Sequence, residues 1–166
     1  MAQEQKLADL FYETLKDIYY AERKIVKALP KMARAADSDQ LKRAFEQHRD
    51  ETESHVERLQ QVFDIFGRRA QGKTCEAIEG LVSEGEEIID AFKGSPALDA
   101  GLVAAAQAVE HYEISRYGTL KQWAQELGLD DAARLLDETL QEEIRTDEDL
   151  SRLAESSVNK QARKTA

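Results

Sequence analysis

The sequence contains very little cysteine, proline or glycine, and each shortage excludes a class of fold or site. One cysteine among 166 residues cannot form an internal disulfide and cannot supply an all-thiolate metal site. It also makes the cytoplasm the expected compartment. Two prolines and eight glycines leave little sequence for turns, which favours long helices. No run of ~18 apolar residues is present, so we expect no transmembrane helix.

Positive charge is also scarce. Lysine and arginine total 23 against 33 acidic residues, which gives a formal net charge of −10. Binding to nucleic acid or to an anionic membrane requires a basic surface, so neither partner is expected. The first residues lead directly into an amphipathic pattern and lack the apolar core of a secretory signal. The length suits one domain over residues 1–166, with a frayed polar tail over about 159–166.

Apolar residues recur every three or four positions through most of the chain, a pattern that predicts an all-α protein. Four long helices and one short helix are predicted, over residues 6–36, 37–66, 75–92, 95–127 and 130–157. Asp37 and Gln40 have the spacing of a capping box, and Ser95 with Pro96 form a helix start. Short connections make the first and second long helices antiparallel, and likewise the third and fourth. The sequence therefore predicts an antiparallel four-helix bundle with a short helix in the long connection.

A carboxylate interrupts the apolar stripe near the middle of each long helix. These residues are Glu22, Glu51, Glu110 and Glu143. Glu113 shares the core face of Glu110, and Asp147 follows Glu143 by one turn. Buried carboxylates must be protonated or paired with positive charge, and two divalent cations would neutralise four of them. The sequence predicts a site for two metal ions, unless this face is open to water or the register differs by one residue.

Two histidines accompany the carboxylate of the second helix. His48 and His55 lie about one turn before and after Glu51, and one imidazole among bridging carboxylates suits iron or manganese. We assign His55 as a ligand and His48 to a place beside the ligands, with the reverse choice left open. Tyr117 is expected at the same level as a hydrogen-bond partner of the ligands.

Several boxes of this sequence resemble a known family. Tyr20-Ala-Glu-Arg-Lys, Val109-Glu-His-Tyr-Glu-Ile and Leu140-x-Glu-Glu-x-x-Thr-Asp are similar to segments of the YciF/YciE family of bacterial stress-associated proteins. The similarity covers nearly the whole chain. The resemblance implies a ferritin-like bundle related to rubrerythrin and a homodimer, with no established enzymatic reaction.

Rubrerythrin-type sites take one glutamate from the first and third helices and Glu-x-x-His from the second and fourth. The resemblance maps Glu22, Glu51, Glu110 and Glu143 onto those glutamates. The histidines do not match, because Ser54 and Thr146 occupy their positions and His55 and Asp147 follow one residue later. The resemblance therefore implies a site richer in carboxylate than that of rubrerythrin, which favours manganese or ferric iron.

Three functions are compatible with these features. The first is a di-metal carboxylate protein, with iron preferred and manganese as the alternative, that reacts with dioxygen or peroxide. The second is a stress-induced structural or interaction protein that holds metal without turnover. The third and least favoured is an iron-storage cage, since the pattern lacks a fifth, C-terminal helix. No catalytic residue is assigned.

Overall fold

The computed structural model describes residues 5–164, which form helices joined by short connections. The helices are α1 (Leu7–Ala35), α2 (Asp39–Phe66), α3 (Glu76–Ala91), α4 (Leu98–Glu126), α5 (Asp130–Leu153) and α6 (Asn159–Ala162). No strand occurs in this part of the chain. The predicted all-α class is confirmed, and the α2 stop is confirmed at Gly67, whose φ of 74° is left-handed.

The start of α2 differs from the predicted capping box. The helix is capped by Ser38, whose Oγ accepts a hydrogen bond from the Leu41 amide at 3.3 Å. The amides of Asp37 and Ser38 instead donate to the two carboxylate oxygens of Asp99, each at 2.8 Å. Asp37 is therefore outside the helix because a carboxylate at the start of α4 binds its backbone.

The start of α4 also differs from the prediction, by two residues. Ser95 does not cap a helix that begins at Pro96. Its Oγ accepts a hydrogen bond from the amide of Ala97 within a turn, at 3.1 Å, and the helix begins at Leu98. The serine satisfies a turn amide here, which is the other common use of a short hydroxyl side chain.

The C-terminal end continues further as helix than predicted. After Leu153 the chain forms a π-helical turn, Ala154–Val158, and then α6. The hydroxyls of Ser156 and Ser157 lie at 3.4 and 3.3 Å from the Leu153 carbonyl oxygen, a contact that competes with regular α-helical bonding. Asn159–Ala162 are thus helical where the sequence predicted a frayed tail, and the last two residues lie outside the described part.

Side-chain contacts give the directions of the long helices. In each of three neighbouring pairs, residue numbers rise along one helix as they fall along the other. For α1 and α2 the contacts are Phe11–Phe66 and Glu22–His55. For α4 and α5 they are His111–Asp147 and Lys121–Asp137. For α2 and α5 they are His55–Glu142 and Arg58–Thr139. The pairs α1–α2, α4–α5 and α2–α5 are therefore antiparallel. Contacts between α1 and α4 complete a cycle of four helices around a common core.

Helix α3 packs outside this cycle against α1 and α4. Tyr20 and Lys24 of α1 bind Glu79 of α3, and about two turns further along both helices Lys31 binds Glu86. Residue numbers therefore rise together along the two helices, and α3 runs parallel to α1. The close approach to α4 depends on Gly101, where a Cβ would lie 2.6 Å from Cγ2 of Ile88. Among residues 5–164, no helix has both the length and the apolar character needed to cross a bilayer.

Candidate metal centre

Polar side chains are buried at the middle of the four long helices. The buried polar residues are Glu22, His48, Thr52, His55, Glu110, Glu113, Thr139 and Glu143. Glu22, Glu113 and Glu143 have no exposed surface at all. Burying an isolated charge is very unfavourable, so a layer of this composition requires partners for its charges.

Atoms of the type that ligate metals form two groups that share Glu143. The His48 group contains His48, Glu110, Glu113 and Glu143, and the His55 group contains Glu22, His55 and Glu143. In each group the candidate ligand atoms all lie within 4.8 Å of one another. A shared carboxylate is the arrangement that lets one side chain bridge two cations.

The ligand-type atoms are close together without hydrogen bonding to one another. His55 Nδ1 lies 2.8 Å from Glu143 Oε1, and His48 Nε2 lies 3.3 Å from Glu110 Oε1. These nitrogens nevertheless lack a hydrogen-bond partner of acceptable geometry, as do both carboxylate oxygens of Glu113 and of Glu143. Each buried polar atom without a partner lowers the free energy of unfolding by ~1–3 kcal/mol. Oxygen and nitrogen atoms that converge without well-formed hydrogen bonds fit a cation placed among them, which would take the place of the proton on His55.

The opposite side of the His55 ring is held by a carboxylate. His55 Nε2 lies 2.8 Å from Glu142 Oε2, and Arg58 donates to both oxygens of Glu142 at 2.9 and 3.2 Å. Arg58 also donates to Thr139 Oγ1 at 2.7 Å. Because Nε2 is occupied by Glu142, Nδ1 is the nitrogen available to a metal, as in carboxylate–histidine–metal arrangements.

The sequence reasoning missed Glu142 and Arg58. Two signals were present: Glu142 directly precedes Glu143, and Arg58 follows His55 by three residues and so shares its side of α2. Tyr117, expected beside the site, is fully buried and donates its hydroxyl hydrogen bond to Glu22 Oε1.

The structure brings five of the seven sequence-predicted ligands into the two groups, namely Glu22, His55, Glu110, Glu113 and Glu143. It also brings in His48, which the sequence placed beside the ligands. Glu51 is half-buried, and its Oε1 accepts a hydrogen bond from Gln47 at 2.9 Å. Asp147 lies toward the outside of α4, where it contacts Gln107 at 3.2 Å and His111 at 3.1 Å. These two acids are outside both groups.

The angular position of Glu51 around the axis of α2 explains why it lies at the edge of the buried polar layer. His48, Thr52 and His55 are spaced by four and three residues, so they follow one stripe, and all three are buried. Glu51 precedes Thr52 by one residue and is therefore turned about 100° away from the middle of that stripe. Thr52 fills the central position and donates its hydroxyl hydrogen bond to the His48 carbonyl at 2.7 Å.

Burial shifts the carboxyl groups of the site toward their protonated form. It raises the pKa of Glu22 to about 7 and raises the pKa values of Glu110 and Glu113 well above the usual range. Burial acts in the same direction on Glu143, but the neighbouring Glu110 carboxyl and His55 imidazole outweigh it and lower the pKa of Glu143 to about 2. Glu143 is therefore the anionic centre of the metal-free layer.

The two imidazoles are shifted in opposite directions. Burial lowers the pKa of His48, so this ring is neutral and able to ligate. Burial also acts against the charged form of His55, but the carboxylates of Glu142 and Glu143 outweigh it and raise the pKa of His55 to about 10. A cation bound at Nδ1 would have to displace the proton from this ring.

We expect the metal-free protein to lose stability between pH 7 and pH 9. In that window an unfolded histidine, with a pKa of 6.5, is neutral, whereas folded His55 stays charged up to about pH 10. The folded state binds more protons, so its stability falls as pH rises, by on the order of 1–3 kcal/mol. The raised pKa values of Glu110 and Glu113 act in the same direction.

Thermal melting in chelator at several pH values measures this loss. With Mn(II) in excess the decline should be smaller, because metal binding releases protons and so strengthens with pH. A melting temperature in chelator that rises between pH 7 and pH 9 would contradict the charge state given for His55.

Comparison with known proteins gives the family. A domain of unknown function, DUF892, matches residues 6–163. The chain belongs to this family. It is 44% identical to Protein YciF of Escherichia coli K12 over 161 residues, which is 96% of this chain and 97% of YciF. The resemblance read from the sequence boxes is confirmed.

Solved structures of similar proteins share the helical architecture. The E. coli stress protein YciF aligns with a TM-score of 0.90 at 43% identity, covering 95% of this chain and 99% of YciF. YcfI of Rhodopseudomonas palustris, described as a candidate structural protein, aligns with a TM-score of 0.86 at 45% identity. The alignment covers 91% of this chain and 97% of YcfI. A Xanthomonas campestris protein with 22% identity and a TM-score of 0.76, covering 94% and 96%, shows the fold alone.

Proposed function

We propose that this DUF892 protein is a ferritin-like di-metal carboxylate protein that binds two divalent cations in its core. The observation that carries the proposal is the pair of buried ligand groups joined by Glu143, in which each residue has at least one oxygen or nitrogen atom without a hydrogen-bond partner. The closed cycle of antiparallel long helices supports a ferritin-like four-helix bundle as the scaffold. Iron is the preferred metal and manganese the alternative.

Different residues would hold the two ions and position the side chains that bind them. His48, Glu110 and Glu113 would hold one ion, Glu22 and His55 the other, with Glu143 between them. The bound ions would supply redox and Lewis-acid chemistry toward dioxygen or peroxide. Arg58 and Glu142 orient the His55 ring, Tyr117 holds Glu22 in place and keeps a proton at its hydroxyl, and apolar layers pack above and below the site.

Metal analysis tests the proposal most directly. The protein should be purified without added metal from cells grown in medium replete in iron and manganese. We expect two ions per chain, mainly iron, and a large loss in a Glu143→Ala variant from a parallel culture. Near-zero metal in the wild-type protein would overturn the proposal.

A structural role without turnover is the second candidate, favoured by the description of YcfI and its shared fold. Peroxide consumption by the metal-loaded protein separates the two roles, because a structural protein would consume no more than its Glu143→Ala variant. The homodimer and the cytoplasmic location stay predictions. Light scattering checks the first, and a shell-sized particle would instead indicate a storage cage.

A further inference from the structure

A cleft of about 400 Å³ between α2 and α5 leads from the surface to the His48 group. Its walls are two stripes of residues spaced three and four apart, from Gln40 to Glu51 on α2 and from Glu142 to Leu153 on α5. His48 and Glu110 also line it. The volume lies within the ~300–1,000 Å³ typical of small-molecule sites.

The cleft has an apolar end and a polar end. The contacts His55–Glu142 and Arg58–Thr139 fix the register of α2 against α5, which places Leu153 about level with Ala44. Leu153 therefore lies at the end of the cleft that Phe45 and Ala44 line. The same register places Arg145 about level with Thr52, at the other end, where Glu142 and Thr146 are its neighbours on α5.

The charged residues of the cleft leave positive charge available. Glu142 is paired with Arg58, and Asp149 is paired with Arg152 at 2.6 Å. Arg43 and Arg145 line the cleft and form no ion pair with any carboxylate of residues 5–164. Outside the ligand groups, Glu51 is the one lining acid that pairs with no lysine or arginine of that range, so two guanidinium groups face one such carboxylate.

We propose that this cleft binds a small organic carboxylate with an unbranched apolar body. The carboxylate pairs with the guanidinium of Arg145, a geometry that favours two parallel hydrogen bonds. The apolar body lies along Phe45, Leu150 and Leu153 and passes the His48 group, while Arg43 adds positive potential at the other end. Binding itself does not require metal, but a role for this molecule as a substrate rests on the proposed di-metal function.

Isothermal titration calorimetry with sodium octanoate tests the proposal on metal-loaded protein, with the metal content measured on the same sample. We expect saturable binding with one octanoate per chain and weaker binding of 1-octanol, which has the same body without the charge. Arg145→Gln should weaken octanoate binding roughly tenfold, the usual effect of losing a hydrogen bond to a charged group. Arg134→Gln is the matched control, because Arg134 is exposed on the same helix and pairs with Asp131 away from the cleft.

A second variant tests the location independently of charge. Ala44 lines the cleft and is half-buried, so Ala44→Trp should fill the apolar end and abolish octanoate binding. Circular dichroism confirms that the variant is folded; if it is not, Arg145→Gln against Arg134→Gln decides. Octanoate binding that is absent, or unchanged in Arg145→Gln, would overturn the proposal.

The two proposals fail separately. If octanoate binds as described to protein in which no metal is found, the cleft inference stands and the di-metal function is wrong. If two ions are present and octanoate does not bind, the di-metal function stands and the cleft inference is wrong.

Discussion

Adding Fe(II) or Mn(II) to chelator-treated protein should raise its melting temperature by about 5–10 °C for each bound ion. At a hundredfold excess of the ion over its Kd, binding stabilises the folded protein by ~2.7 kcal/mol, and this free energy corresponds to a shift of that size for a chain of this length. The physical reason is that the cation satisfies the converging oxygens and nitrogens of the two groups, which the folded metal-free protein leaves without partners. Anaerobic thermal melting followed by circular dichroism measures the shift, with Mg(II) as a control for nonspecific screening.

Two glutamate variants locate the effect. Glu143 belongs to both groups, so Glu143→Ala should remove most of the shift for both ions. Glu51 lies outside the groups and is held by Gln47, so Glu51→Ala should keep the shift, although the sequence pattern predicts that it loses an ion. If the shift is lost in Glu51→Ala as well as in Glu143→Ala, the ligand set is the one read from the sequence and not the one in the two groups. A shift that survives in Glu143→Ala would contradict both sets.

Glu113→Leu should stabilise the metal-free protein while it weakens metal binding. Glu113 is fully buried, neither of its oxygens has a hydrogen-bond partner, and burial raises its pKa well above the usual range. Replacing a buried polar or ionic group by an apolar one of similar volume often gains ~1–4 kcal/mol. Urea denaturation in chelator measures the gain, and metal titration of the same variant measures the loss.

The control for this variant is Glu126→Leu at the exposed end of α4, where the change in stability should stay within about 0.5 kcal/mol. If Glu113→Leu is instead less stable than wild type in chelator, the Glu113 carboxyl has a stabilising partner in the metal-free protein. The absence of a partner for this carboxyl would then be wrong.

The number of long helices and the height of the polar layer could be predicted from the sequence. Both depend on periodicity alone, and each of the four stripes changes from apolar to polar near its middle. The rotation of each helix about its axis could not be fixed in the same way. Glu51 and Thr52 both continue a stripe that begins at His48, by three or four residues, and only packing shows that Thr52 faces the core.

The same ambiguity explains Asp147 and the partners of His55. Asp147 follows Glu143 by four residues, which is one turn plus about 40°, enough to turn it toward His111 and Gln107 on the outside of α4. Glu142 and Arg58 come from different helices, so their contact depends on the register between α2 and α5. No pattern within one helix contains that register. The predicted cap of α2 at Asp37 was wrong for a related reason. The Asp37 amide donates to Asp99 of α4, a contact that the sequence near Asp37 does not contain.

The cleft reaches only one of the two ligand groups, and this sets an order for loading and unloading. His48 and Glu110 line the cleft, whereas Glu22 and His55 do not. If ions enter by this cleft, an ion on its way to the His55 group passes through the His48 position, so the inner position fills first and empties last. Chelation should remove the ions in two kinetic phases, with a fast phase for the outer ion and a slow phase that begins only after the outer ion has left.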